Sequence, residues 1–421
     1  MKNESGFDLE KYLNDGVELI VKDAIKATIK YPKESLFLAK FALSAKQAEV
    51  RRMEYAKNGE HIPAFLIASI TKECNLNCEG CYAHYNQNLK EGTHQDFSQA
   101  KNEGTDQNFS QANNGGTHQN FSQANNEGTD QDFSQAENEG THQDFSQNFD
   151  SEQMTAEEWD KIFSEAVDLG VSIIMLAGGE PLIRKDVIEK AAKHHEILFP
   201  VFSNATMLDE GYQKLFDAHR NLIPIISVEG DESCTDARRG AGVFAITEDA
   251  MRQMKKRGLL FGASITVTSN NLDEVTRESF LVDMRAKGCR VVFFIEYVPV
   301  DGRDISLSDE QIKILEDRIN SIRQSYNDMI VISFPGDEKE IGGCLAAGRG
   351  FIHINATGSA EPCPFSPFSD TNVRDVGLRK ALKSNLFKGL IKSGLLEEEH
   401  TGGCVLFQKE AEVQKLINPD K

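Results

Sequence analysis

The sequence predicts an α/β protein built on a parallel sheet, curved or closed, and three observations predict it. Short apolar runs recur at 64–71, 172–177, 199–203, 223–228, 260–268 and 290–298. Helical stretches separate most of them. The runs are apolar on nearly every residue, as in strands covered on both faces, where an alternating pattern would mark a half-exposed sheet. In folds of this kind the chemistry sits at the C-terminal ends of the strands, which selects the loops after 71, 177, 203, 228, 268 and 298.

Taken in chain order, residues 1–60 read as an N-terminal helical extension, helical from about 8 to 58 and without a chemical motif. The strand at 64–71 follows. Residues 91–150 then carry five copies of a 12-residue period beginning Glu91-Gly-Thr-His. Each copy repeats a phenylalanine at one position (Phe97, Phe109, Phe121, Phe133, Phe145) among Gln, Asn, Ser, Thr and Gly, the last copy being degenerate. One such residue per period cannot offset the entropy of ordering the chain, so the segment is predicted to be a disordered insertion. A flexible partner-binding segment is the functional alternative.

Beyond the insertion, Thr155-Ala-Glu-Glu158 reads as a capping box. It opens a helix over 156–169 whose apolar stripe is Trp159, Ile162, Phe163, Ala166 and Val167 and which Gly170 ends. The only tryptophan is therefore read as core. Helices at 245–257 and 276–287 stop at Gly258 and Gly288. Ser308-Asp-Glu-Gln311 caps a further helix carrying Ile312, Leu315, Ile319 and Ile322. The tail changes character, with a strand near 329–334, a hairpin at 350–363 turning near Gly358 and helices around 375–394. The predicted division is an extension to residue 60, a barrel over 61–300, and a linker helix with a C-terminal domain over 301–421.

Composition narrows the function. Lys plus Arg number 46 against 66 Asp plus Glu, a net charge of −20 that repels phosphate backbones. No nucleic-acid partner is expected. Segment 91–150 holds 11 acidic residues against Lys101 alone, so half of the excess lies there. No apolar run is long enough to span a bilayer, and Met1–Asp8 lacks an export pattern, so a cytoplasmic protein with no membrane partner is expected. In that compartment the eight cysteines are read as metal ligands, reactive thiols or core residues before disulfides.

Their spacing decides. Directly after the first strand stands Thr71-Lys-Glu-Cys74-Asn-Leu-Asn-Cys78-Glu-Gly-Cys81-Tyr82. Three thiols within eight residues can converge on one inorganic centre. A structural zinc wants four ligands, and no second pair follows nearby. A four-iron body held by three thiolates keeps one iron open. Gly178-Gly179-Glu180-Pro181 ends the second strand. Together, Cys-x3-Cys-x2-Cys after a strand and GGEP after the next resemble the radical S-adenosylmethionine (SAM) superfamily.

The resemblance implies a partial (β/α)6 TIM-like barrel and a 4Fe-4S cluster on Cys74, Cys78 and Cys81. Its open iron chelates the amine and carboxylate of SAM, with Gly178, Gly179, Glu180 and Pro181 receiving the amine. It further implies that Ser203 and Asn204 form the turn after the third strand, that Ser227 and Glu229 fall where ribose is bound, and that Arg239, ahead of its neighbour Arg238, pairs with the SAM carboxylate. Ser264, Thr266 and Val298 stand against the sugar or adenine, or pack within the sheet. One departure concerns the position before the third motif cysteine. The family often has an aromatic there that touches adenine, whereas this chain has Gly80; Tyr82, one place beyond the cysteine, is the candidate substitute.

A second group, Cys344, Cys363 and the distant Cys404, resembles the opening of a SPASM or twitch domain and implies one auxiliary 4Fe-4S cluster of the shorter, twitch type. A fourth ligand is open among substrate, Glu361, His400 and Cys289. Cys234 and Cys289 are otherwise read as buried small hydrophobes, and His194, His195 and His353 as ordinary helix or strand residues.

The implied activity is reductive cleavage of SAM and hydrogen abstraction from a peptide or protein side chain. Electrons would come from a low-potential donor of the flavodoxin or ferredoxin class. Synthesis of a small-molecule cofactor is the alternative.

Overall fold

The computed structural model describes residues 32–91, 152–326, 328–340, 342–398 and 404–417. The insertion at 91–150, apart from Glu91, the first part of the N-terminal extension, and His400 lie outside them. Helix α1 (Pro32–Lys57) precedes β1 (Phe65–Thr71) and α2 (Tyr82–Glu91). After the insertion come α3 (Ala156–Leu169), β2 (Ile173–Gly178), α4 (Lys185–Ala191), β3 (Phe199–Ser203), α5 (Glu210–Ala218) and β4 (Leu222–Ser227). The alternation continues through α6 (Glu232–Arg239), α7 (Val243–Arg257), β5 (Gly262–Val267), α8 (Leu272–Thr276), α9 (Glu278–Lys287) and β6 (Val291–Glu296).

Local sequence explains the helix ends. Thr155 accepts a hydrogen bond from the Glu158 amide, and Glu158 accepts one from the Thr155 amide at 2.8 Å, closing the expected capping box. Gly170 ends α3 in the left-handed region at φ 87°, where a side chain would be strained. Trp159, Ile162, Phe163 and Ala166 are buried as expected, but Leu169 completes the stripe and Val167 is only half-buried.

All six expected strands are present and run parallel in sequence order. The sheet does not stop there. Helix α10 (Asp309–Ser325) crosses over to β7 (Ile330–Phe334), which pairs parallel with β6 as a seventh strand. On the opposite edge β8 (His353–Ile354) pairs parallel with β1 and turns at Gly358 into antiparallel β9 (Ala360–Glu361). Among the described residues the order is β7-β6-β5-β4-β3-β2-β1-β8-β9, an open and mixed sheet. The strand near 329–334 thus extends the barrel sheet, and the hairpin belongs to its other edge. Short helices α11 (Gly336–Glu340), α12 (Val373–Val376), α13 (Leu378–Ala381), α14 (Asn385–Ser393), α15 (Val405–Gln408) and α16 (Glu410–Ile417) complete the chain.

The period of two along each strand sorts residues between an outer face under the helices and an inner face. On β4 the inner face reads Ile223, Ile225, Ser227; on β2 it reads Ile173, Met175, Ala177. Ile223, Ile225, Phe293, Ile330 and Ile332 form a small apolar cluster of their own, separate from the main core under the helices. The sheet interior therefore has a dry floor and becomes polar toward the strand C-termini. No described helix is long and apolar enough to cross a membrane.

Candidate active site

At the C-terminal ends of the strands lies a cavity of about 250 Å³. Cys74, Cys78, Cys81, Gly178, Gly179, Glu180, Asn204, Ser227, Arg238, Arg239 and Ser264 all line it, together with Tyr82, Thr266 and Val298. Pro181, Ser203 and Glu229 do not line it. They act from behind, and the hydrogen bonds show how.

The cysteine loop is fixed by its neighbours. The Gly179 amide donates to the Thr71 carbonyl at 2.9 Å and the Glu180 amide to the Glu73 carbonyl at 2.8 Å. A Cβ on Gly178 would stand 2.2 Å from the Thr71 carbonyl oxygen, and one on Gly179 would stand 2.0 Å from that of Glu73. The glycine pair is thus required by the approach of two protein backbones. Gln153 accepts from the Lys72 amide at 3.2 Å and donates to Glu73 at 2.7 Å, and Asn75 donates to Thr206 at 2.7 Å.

Glu180 is buried yet satisfied. Its carboxylate accepts from the Leu182 amide at 3.0 Å, from the Ser203 hydroxyl at 2.8 Å and from the Asn204 amide at 2.8 Å. Burial raises its pKa above the usual carboxylate range, against these hydrogen bonds. Ser203 therefore orients Glu180, and Pro181 opens the helical turn that follows it.

Glu229, also buried, serves as an anchor. One oxygen accepts from Arg238 at 2.5 Å and from Arg239 at 2.5 and 2.9 Å, and the other accepts from the Thr266 amide at 3.0 Å. Arg239 reaches to 4.0 Å from the Cys78 sulfur. The two guanidinium groups counter burial, which raises the Cys78 thiol pKa; burial alone dominates at Cys74, pushing its thiol up to about 11. Ser227 and Ser264 are register partners on adjacent strands, side by side on the wall.

Sequence reasoning missed several wall residues. Tyr297, just beyond β6, packs so closely that a Cβ on Gly80 would lie 2.5 Å from its ring. The space an aromatic at position 80 would use is filled from the segment that follows β6. Tyr82 instead contacts Phe365 edge-on at 5.3 Å and hydrogen-bonds Ser69. Glu296 adds a buried carboxyl to the wall. The rule that chemistry follows strand ends pointed to this stretch, but no motif distinguished Glu296 or Tyr297 from neighbouring Val298.

Cys363 opens onto the same cavity, beside Pro364 and Phe365. Its thiol hydrogen-bonds that of Cys404, and Cys344 lies in their electrostatic field; all three are buried. Cys289 is buried as expected but is bonded to the Val291 carbonyl at 3.1 Å, whereas Cys234 is only half-buried. His353 has partners that the sequence did not show: Ser69 at 2.7 Å and Glu361 at 2.8 Å, with Asn355 donating to Glu361 at 2.5 Å. Among the described residues no three Cys, His, Asp or Glu side chains close on a single ion. The donors suit a multi-iron body, whose thiolates each take a different iron, better than one zinc.

Residues 68–285, just over half of the chain, match the radical SAM superfamily. The chain belongs to the radical SAM superfamily. Membership makes it an enzyme class that uses a 4Fe-4S cluster and SAM. It is 25% identical over 222 residues to the PqqA peptide cyclase of Granulibacter bethesdensis, covering 50% of this chain and 59% of that one. It is 28% identical over 259 residues to the AdoMet-dependent heme synthase of Methanosarcina barkeri, covering 54% and 73%. This radical SAM chain thus spans under two thirds of the cyclase. In fold it is similar to Streptococcus suis SuiB bound to precursor peptide SuiA, at TM-score 0.55, 14% identity and coverage of 83% and 71%. It is also similar to anSMEcpe with bound AdoMet and the Cp18Cys peptide, at TM-score 0.53, 17% identity and coverage of 80% and 83%.

Proposed function

We propose that this radical SAM enzyme modifies a peptide or protein side chain, with Cys74, Cys78 and Cys81 holding the cluster that binds SAM and Cys344, Cys363 and Cys404 holding an auxiliary 4Fe-4S cluster. One observation carries the proposal: Cys363 lines the same cavity as the three motif cysteines. A substrate in that cavity would stand between the two centres. The domain division at residue 300 is kept as a functional one, with the barrel supplying the SAM site and the later residues the second thiol group.

When bound, the cluster and SAM would supply one-electron reductive cleavage and abstraction of a hydrogen atom. The chain's own residues hold the reactants and exclude water. Glu180, oriented by Ser203 and by the Asn204 amide, presents carboxylate oxygens at the rim to receive the SAM amine. Arg239, steadied by Glu229, would pair with the SAM carboxylate, and Ser227 with Ser264 would offer hydroxyls to the ribose. The apolar floor below and Phe351, Phe365 and Phe334 around the wall keep water from the cavity. Electrons enter from a low-potential donor of the flavodoxin or ferredoxin class.

The peptide assignment draws on the PqqA peptide cyclase relative and on the peptide-bound fold neighbours. The heme synthase relative favours the alternative, a small-molecule cofactor substrate. Deuterium transfer separates them. The reconstituted enzyme is given SAM, reductant and either deuterated peptide pools or deuterated tetrapyrrole and nucleotide pools. Deuterium entering 5′-deoxyadenosine from peptide supports the proposal; entry only from the small-molecule pools overturns it.

A further inference from the structure

The second thiol group supplies three cysteines, and among the described residues the two side chains considered from sequence for a fourth position are engaged by other partners. Glu361 has both carboxylate oxygens engaged, one by His353 and one by Asn355. Cys289 is tied to the Val291 carbonyl at the start of β6. His400 lies outside the described residues. A different side chain is at the thiols.

Glu338, on α11, is 4% exposed. Its carboxylate hydrogen-bonds the Cys344 thiol and lies in the electrostatic field of Cys404. The same residue grips the cysteine loop from both sides: its carbonyl accepts from the Gly343 amide at 3.0 Å, and its carboxylate accepts from the Leu345 amide at 3.2 Å. Gly343 is itself forced to be small, since a Cβ there would stand 2.2 Å from the Leu396 carbonyl oxygen. The Cys344 loop and the Glu338 side chain are therefore fixed against each other. The carboxyl and the thiols are buried together, one oxygen donor beside sulfur donors. A cationic iron–sulfur body could accept both kinds of donor, the hard oxygen completing the set of thiolates.

We propose that Glu338 is the fourth protein ligand of the auxiliary cluster, binding through its carboxylate the iron that Cys344, Cys363 and Cys404 leave without a thiolate. The inference rests on the auxiliary-cluster reading above. It closes that cluster to direct binding of substrate and leaves it the role of passing electrons.

The test uses the full chain with Cys74, Cys78 and Cys81 replaced by Ala, so that only the auxiliary cluster remains, reconstituted with ⁵⁷Fe and read by Mössbauer spectroscopy. The expected spectrum has about one iron in four with the higher isomer shift of an oxygen-ligated site. Glu338→Gln keeps an oxygen to accept from the Leu345 amide, so a purely structural role leaves the spectrum unchanged. Ligation predicts that this distinct iron changes or is lost. Glu338→Cys should give four equivalent thiolate-ligated irons. A Glu338→Gln spectrum identical to its parent overturns the proposal. If that variant holds no iron, Glu338→Cys decides: regained iron with thiolate character supports ligation, and failure to regain it overturns ligation. A parent with no auxiliary iron overturns the auxiliary-cluster reading itself.

Discussion

The two thiol groups differ in how the chain assembles them. Cys74, Cys78 and Cys81 come from one loop, are each half-buried and have two arginines beside them. Cys344, Cys363 and Cys404 come from three separate segments, are all buried and have a carboxyl beside them. The first arrangement suits a centre that must admit a ligand and tolerate changing charge. The second suits a centre whose ligands are held in place by packing. A short loop can be partly open because its shape is imposed from outside, by the backbone contacts of Gly179 and Glu180. Segments far apart in sequence meet only where burial holds them.

The comparison predicts that damage to the first group stops SAM chemistry while damage to the second leaves part of it. Replacing Cys74, Cys78 and Cys81 by Ala is expected to abolish 5′-deoxyadenosine formation, followed by chromatography. Glu180→Gln should weaken SAM binding about 10- to 100-fold, the worth of a charge-assisted hydrogen bond, measured by equilibrium dialysis on the reconstituted protein. Unchanged affinity would remove Glu180 from the SAM site. Gly179→Ala forces a Cβ into the Glu73 carbonyl and should cost about 1–3 kcal/mol of stability with loss of the first cluster's iron, read by thermal melting and iron assay. Replacing Cys344, Cys363 and Cys404 by Ala should lower the iron content from about eight to about four while SAM cleavage uncoupled from substrate persists in part. If cleavage stopped completely, the two groups would not be separable.

The smallest expected effect is on pH dependence. Burial raises Cys74 to about 11 in the folded protein, so folding favours its neutral thiol. That contribution is fully present below the unfolded thiol pKa, and is lost as pH rises through the folded value. The metal-free protein should therefore melt at progressively lower temperature from about pH 9 to 11, less steeply in Cys74→Ala. A flat profile would mean that the loop opens to water without its cluster.

Much of this was legible because it is local. Capping boxes, helix-ending glycines, strand order and the cysteine loop depend on residues a few positions apart, and the rule about strand ends placed the cavity rim. Less legible were contacts made by residues distant in sequence. Nothing near Gly80 indicates that Tyr297 fills the space beside it. Nothing in Gly178-Gly179 says that a neighbouring backbone, more than a ligand, demands the missing side chains. Glu229 was read as a ribose contact and stands behind two arginines.

By itself, the sequence determined the class of sheet, the open three-thiol loop and the family, since each is carried by periodicity or by spacing within one short segment. Only the tertiary structure decided that β7 and the β8–β9 hairpin extend the barrel sheet, that Cys363 faces the first thiol group across one cavity, and that Glu338 meets Cys344. Those pairings join chain positions whose separation says nothing about their distance, because packing of the apolar floor and core brings them together.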